Sequence, residues 1–127
     1  MSTIGALIVD DEEDIRLMVR SVIALANRGL FVKGEAASGQ EVLDSIDEID
    51  PQVVVLDEMM PGLSGLETAE RILERRPEQR MILYSAYLND AMRARAHAVG
   101  VYECVAKHEV DRLPDTLRRA GGCGTPE

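Results

Sequence analysis

The sequence predicts a doubly wound α/β domain, a parallel sheet with helices on both faces. Two observations carry this reading. Short apolar runs, Ala6-Leu7-Ile8-Val9 and Val53-Val54-Val55-Leu56 foremost, read as interior strands that are apolar on both faces. Segments of helical apolar spacing separate the runs from end to end, the alternation that builds a parallel sheet through right-handed crossovers.

The first strand ends in three acids, Asp10, Asp11 and Glu12. Ile15, Met18, Val19, Val22, Ile23 and Ala26 then recur on one helical face, and Gly29 is expected to close that helix. Leu30 to Ala37 reads as the second strand. Ser38-Gly39-Gln40-Glu41 has the form of a capping box and opens a helix through about Ile46. Pro51 leads into the third strand, which ends at Asp57. Ser64-Gly65-Leu66-Glu67 is a second capping box, with Leu66, Ala69, Ile72 and Leu73 as the buried face behind it and Pro77 past its end. Met81 to Ser85 is the fourth strand, about Asn89 to Val99 the fourth helix, and Val101 to Ala106, after the break at Gly100, the fifth strand. The last helix is expected from about Val110 to Ala120, with Pro114 tolerable only in its first turn. Residues 1–120 are thus expected to form one domain, and 121–127 a flexible tail or the start of a linker. The expected strand order is 2-1-3-4-5, with a switch point between strands one and three.

A chain of 127 residues is long enough for one domain with a real core. Fourteen Lys and Arg against 23 Asp and Glu give a formal charge of −9, which argues against binding a nucleic-acid backbone through this domain. No apolar stretch approaches a membrane span, and the N-terminus lacks a signal pattern. Cys104 and Cys123 have no metal-type spacing and form no disulfide framework, so a reducing, cytoplasmic setting is expected.

Asp10, Asp11 and Asp57 all follow strands, and in an open α/β sheet ligand sites lie outside the carboxyl ends of the strands. Carboxylates gathered there repel one another unless a cation sits between them. The pattern points to a divalent-metal site with an aspartate at its centre.

Five landmarks, in order and at strand ends, complete the picture: Val9-Asp10-Asp11-Glu12, Asp57-Glu58-Met59-Met60-Pro61-Gly62-Leu63-Ser64-Gly65, Tyr84-Ser85-Ala86, Gly100 and Lys107. With them the chain resembles a response-regulator receiver domain of two-component signal transduction over nearly its whole length, the glycine-rich tail excluded. The resemblance implies the flavodoxin-like version of the predicted fold. It also implies a phosphoacceptor switch, in which Asp57 takes a phosphoryl group from a histidine kinase or phosphotransfer protein with Mg²⁺ as cofactor. Asp11 and Asp57 would bind the metal directly, Met59 through its backbone carbonyl and Asp10 through water. Lys107 and Ser85 would hold phosphoryl oxygens, Ala86 would leave room for them, and Met59 and Tyr87 would flank the path of attacking water and tune dephosphorylation. Such a domain phosphorylates and dephosphorylates itself but turns over no external substrate. Its output face, the fourth helix, fifth strand and fifth helix, would meet a downstream protein or fused domain, and the fourth-helix face a second copy of the chain.

Three positions depart from the family pattern. Cys104 stands where receivers carry the aromatic switch residue of the fifth strand, His108 where a proline commonly follows the lysine, and Glu58 where most relatives are apolar. Glu58 either alters metal affinity or points to solvent. The first two departures motivate an alternative, a receiver-like interaction module that works without phosphorylation. A metal-dependent phosphohydrolase ranks behind both, because its acid catalyst would stand two residues after the nucleophile, where this chain has Met59. Flavin binding is disfavoured by three acids at the switch point.

Overall fold

The computed structural model describes residues 3–122. Five parallel strands, β1 (Ile4–Val9), β2 (Leu30–Ala36), β3 (Val53–Leu56), β4 (Arg80–Ser85) and β5 (Glu103–Ala106), lie in the order β2-β1-β3-β4-β5. Among the described residues the α-helices are α1 (Glu13–Ala26), α2 (Gly39–Ile49), α3 (Gly65–Arg75), α4 (Asp90–Val99) and α5 (Leu113–Ala120). The fold class and strand order are those the apolar runs and crossover rules predicted.

Strand alternation divides the core into two layers. Leu7, Val9, Val54, Leu56, Met81 and Leu83 face α2, α3 and α4, which contribute Val42, Ile46, Ala69, Ile72 and Ala96. Ile8, Val53, Val55, Ile82, Tyr84 and Val105 face α1 and α5, which contribute Val19, Ile23, Leu113 and Leu117. Each fully buried Val, Leu, Ile or Met among them stabilises the domain by about 1.5–3 kcal/mol before conformational entropy is subtracted. Among the described residues no helix is long and apolar enough to cross a membrane.

Several boundaries differ from the sequence expectation, each for a local reason. Helix α1 ends at Ala26 and is capped by Asn27, whose N–H reaches the Ile23 carbonyl; Gly29 lies two residues further on, in the turn into β2. Helix α2 runs three residues past Ile46, because Ile49 still packs on the core and the left-handed residue is Asp50 (φ 50°). The Ser38 hydroxyl accepts from Glu41 N–H at 3.1 Å, but the Glu41 carboxylate accepts from Ala37, not Ser38, so the reciprocal half of that box is displaced by one residue. The Ser64–Glu67 box is complete, with bonds of 3.1 and 2.9 Å. Strand β2 stops at Ala36, one residue short of the expected end. Strand β5 begins at Glu103 rather than Val101; Val101 and Tyr102 form the bend into it after Gly100 (φ 114°).

The last helix departs most. Lys107–Arg112 winds as a 3-10 segment with a kink at Glu109, and α5 starts only at Leu113. Pro114 explains this. It has no N–H to donate to the Val110 carbonyl, which instead accepts from Leu113 in a tighter turn. Of the expected tail, Gly121 and Gly122 form a turn after α5, and a β-carbon on Gly121 would lie 2.7 Å from Ile4 Cδ1. Residues 123–127, with Cys123, fall outside the described residues.

Candidate functional site

The carboxyl ends of β1, β3 and β5 deliver the site. Asp10 extends the β1 ladder by donating its N–H to Ala36, and Asp57 extends β3 by donating to Val9 at 3.0 Å. Both carboxylates are almost wholly buried, at 2% and 3% exposure, whereas Asp11 is exposed. Carboxylate oxygens of Asp10, Asp11 and Asp57 all lie within 4.8 Å of one another. Lys107, the first residue after β5, places Nζ 2.9 Å from Asp10 Oδ2 and 3.3 Å from Asp57 Oδ1. Asp10 Oδ1 accepts from the Glu12 N–H at 2.9 Å, so this carboxylate is held on both oxygens.

The cleft above these groups is lined by Asp11, Glu12, Asp57, Met59, Ala86, Tyr87 and Lys107. Met59 and Tyr87 stand at its mouth, 64% and 75% exposed. Ser85 ends β4 fully buried, its hydroxyl accepting from Tyr87 N–H at 3.2 Å. Cys104 lies in the core layer beneath α4, with burial pushing its thiol pKa up. His97 and His108 are exposed.

Electrostatics single out Asp57. Burial, and next the charge of Asp10, raise its pKa from 3.8 to about 6; Lys107 and the Met59 N–H act in the opposite sense. Burial also works against the Lys107 ammonium, but the two carboxylates outweigh it and raise its pKa, so it stays charged. The donor set, three carboxylates within reach of one another, has the hard-oxygen chemistry that Mg²⁺ takes.

Two neighbouring residues have functions the sequence did not suggest. Arg16 of α1 donates to the Asp10 carbonyl at 2.6 Å and to Glu35 Oε1 of β2 at 3.2 Å, tying down the loop that carries Asp10 and Asp11. Glu58 does not point to solvent. It is 7% exposed and accepts from the Leu66 N–H at 2.8 Å, so it serves the N-terminus of α3.

Fold and site together define an α/β domain with an acidic, lysine-bridged centre at its switch point. Comparison with known proteins is specific. The family model for the response regulator receiver domain matches residues 6–118. The chain is 33% identical to the chemotaxis protein CheY of Thermotoga maritima over 114 residues, 89% of this chain and 93% of that protein. It is 40% identical to the transcriptional activator protein ExaE of Pseudomonas putida over 83 residues, 65% of this chain but only 38% of that protein. Among solved structures, the receiver domain of the NarL-type regulator of Mycobacterium tuberculosis superposes with a TM-score of 0.80 at 27% identity, covering 96% of this chain and 99% of that one. The response regulator domain of Thermotoga maritima CheB, at 24% identity and a TM-score of 0.87 over 94% of this chain and 97% of that one, shares the fold. The chain belongs to the response regulator receiver domain family of two-component systems.

Proposed function

We propose that this domain is a cytoplasmic phosphoacceptor switch, with Asp57 as the acceptor and Mg²⁺ as its cofactor. The observation that carries the reading is the Lys107 ammonium held between the buried Asp10 and Asp57 carboxylates, beside Asp11. With a pKa of about 6, Asp57 is mainly ionised at neutral pH and can act as a nucleophile. Its carboxylate oxygen forms a bond to phosphorus as the bond to the donor histidine nitrogen breaks, and the electron pair leaves with that imidazole. Asp11, Asp57 and the Met59 carbonyl would hold the metal directly and Asp10 through water; when bound, Mg²⁺ neutralises the charge gathered on the carboxylates and phosphoryl oxygens. Lys107 then contributes a point charge to one phosphoryl oxygen, and the Ser85 hydroxyl, turning away from Tyr87 N–H, donates to another.

That turn would draw the Ala86-Tyr87 segment inward and reposition the start of α4, which is how a local charge biases a two-state element. Cys104 stands where an aromatic side chain is common in the family, so the movement would not be relayed by an aromatic rotamer at that position. Met59 and Tyr87 flank the route of water to the phosphoryl group and set how long it persists. The donor would be a histidine kinase or phosphotransfer protein. The receiver of the signal would be an output protein or a fused domain at the α4-β5-α5 face, where the chain can also pair with a second copy. This reading makes the domain catalyse only its own phosphorylation and dephosphorylation.

The test is intact mass after incubation with Mg²⁺ and acetyl phosphate, with Asp57→Asn alongside. Gain of one phosphoryl group by the wild type alone is expected. No gain, with Mg²⁺ binding seen by calorimetry, would overturn it in favour of the phosphorylation-independent interaction module.

A further inference from the structure

Lys107 has a further neighbour besides the carboxylates. Tyr84, the β4 residue before Ser85, turns into the core layer of α1 and α5 and is 2% exposed. The Lys107 Nζ lies 5.8 Å from the centroid of the Tyr84 ring, inside the roughly 6 Å reach of a cation–π contact. The Tyr84 hydroxyl also donates to the Lys107 backbone carbonyl at 3.3 Å. One buried side chain therefore meets Lys107 at both its ammonium and its backbone.

We infer that Tyr84 is a positioning residue for Lys107, and that the ring face, rather than the hydroxyl, holds the ammonium between Asp10 and Asp57. The hydroxyl bond is long beside the usual span of about 2.5–3.0 Å for O–H···O. The ring, by contrast, is desolvated, the setting in which a cation–π contact is strongest. Lysine needs such a guide. Its four-carbon stem is flexible and its charge compact, so direction must come from its surroundings. The carboxylates cannot supply that direction alone, because the partner at Asp57 becomes a phosphoryl oxygen when the switch is on, while the ring remains in place. Burial keeps the hydroxyl protonated, so no negative phenolate competes for the ammonium. The inference rests on the proposed phosphoacceptor function.

The test uses the full chain with Tyr84→Phe and with pentafluorophenylalanine at residue 84. Both rings have the same planar outline, the fluorinated one slightly larger, but fluorination reverses the charge on the ring face. Two readings are taken: the rate of phosphoryl uptake from acetyl phosphate with Mg²⁺, and the ring-current shift of the Lys107 Hε protons by NMR. Tyr84→Phe is expected to stay within about twofold of the wild-type rate, while the fluorinated ring slows uptake about tenfold and shrinks the Lys107 shift. Equal rates for the two rings, or a loss of rate that follows the thermal midpoint instead of fluorination, would overturn the inference. Should the wild type take up no phosphoryl group, the proposed function fails by itself. The NMR shift then still decides the contact: a shift reduced by fluorination supports it, and an unchanged shift overturns it.

Discussion

A β-carbon on Gly65 would lie 2.3 Å from the carbonyl oxygen of Asp57 and 2.8 Å from the Cα of Glu58. The first residue of α3 is thus pressed against the backbone that carries the proposed phosphoacceptor, and its N–H donates to the Glu58 carbonyl at 3.0 Å. Both atoms met are backbone, so no side-chain rotation relieves the clash. Gly65→Ala is expected to cost about 1–3 kcal/mol, the range for overpacking a filled site, and to displace the loop that presents Met59. Thermal denaturation together with phosphoryl uptake reads this; an unchanged midpoint and rate would show slack between α3 and β3.

Asp57 also predicts how the metal-free protein responds to pH. Its pKa is raised from 3.8 to about 6, so between those values the folded state holds a proton that the unfolded state has released. Stability from this group is full below about pH 4 and is lost as pH rises through about 6, a total of about 3 kcal/mol at 1.36 kcal/mol per pH unit. Asp57→Asn removes the titration. Chemical denaturation without divalent cations should therefore find the variant more stable than the wild type at pH 7, with the difference closing towards pH 4. Parallel curves for the two proteins would contradict the raised pKa.

Removing Lys107 tests the same charges from the other side. Lys107→Met leaves two buried carboxylates without their cation, and breaking a buried pair in this way costs about 3 kcal/mol or more. The loss is expected at pH 7 in EDTA. It should shrink near pH 5, where Asp57 protonates, and in Mg²⁺, which replaces the missing positive charge. Urea denaturation under the three conditions is the measurement. A loss of equal size in all three would assign Lys107 a packing role alone.

The fold and the heart of the site were legible because both depend on strand ends. Asp10 and Lys107 are 97 residues apart in sequence, yet each directly follows an apolar run, and a parallel sheet brings such positions to one edge. Helix ends were less legible, since they turn on single groups: Asn27 takes a positive φ before Gly29 can, and the missing N–H of Pro114 holds Lys107–Arg112 in a 3-10 turn. The supports of the site were not legible at all. Arg16 reaches Asp10 and Glu35 from a third element, and Tyr84 reaches Lys107 through the core, so no spacing along the chain announces either contact.

Glu58 had two sequence readings, a modulator of metal affinity or a solvated acid, and its burial overturns the second. The carboxylate is buried and accepts from Leu66 N–H at 2.8 Å, while the preceding Asp57 carboxylate faces the cleft. Glu58→Ala would leave a buried donor without a partner, at a cost of about 1–3 kcal/mol. Glu58→Gln keeps an acceptor oxygen there and loses only the attraction between a negative charge and the helix N-terminus, about 0.3–1 kcal/mol. The expected order of stability is therefore wild type, then Gln, then Ala. Mg²⁺ affinity of Glu58→Gln, measured by calorimetry, should stay within about twofold of the wild type, a difference of less than 0.5 kcal/mol. A tenfold weaker affinity in Glu58→Gln would instead place this carboxylate in the field of the metal and make its charge part of the switch.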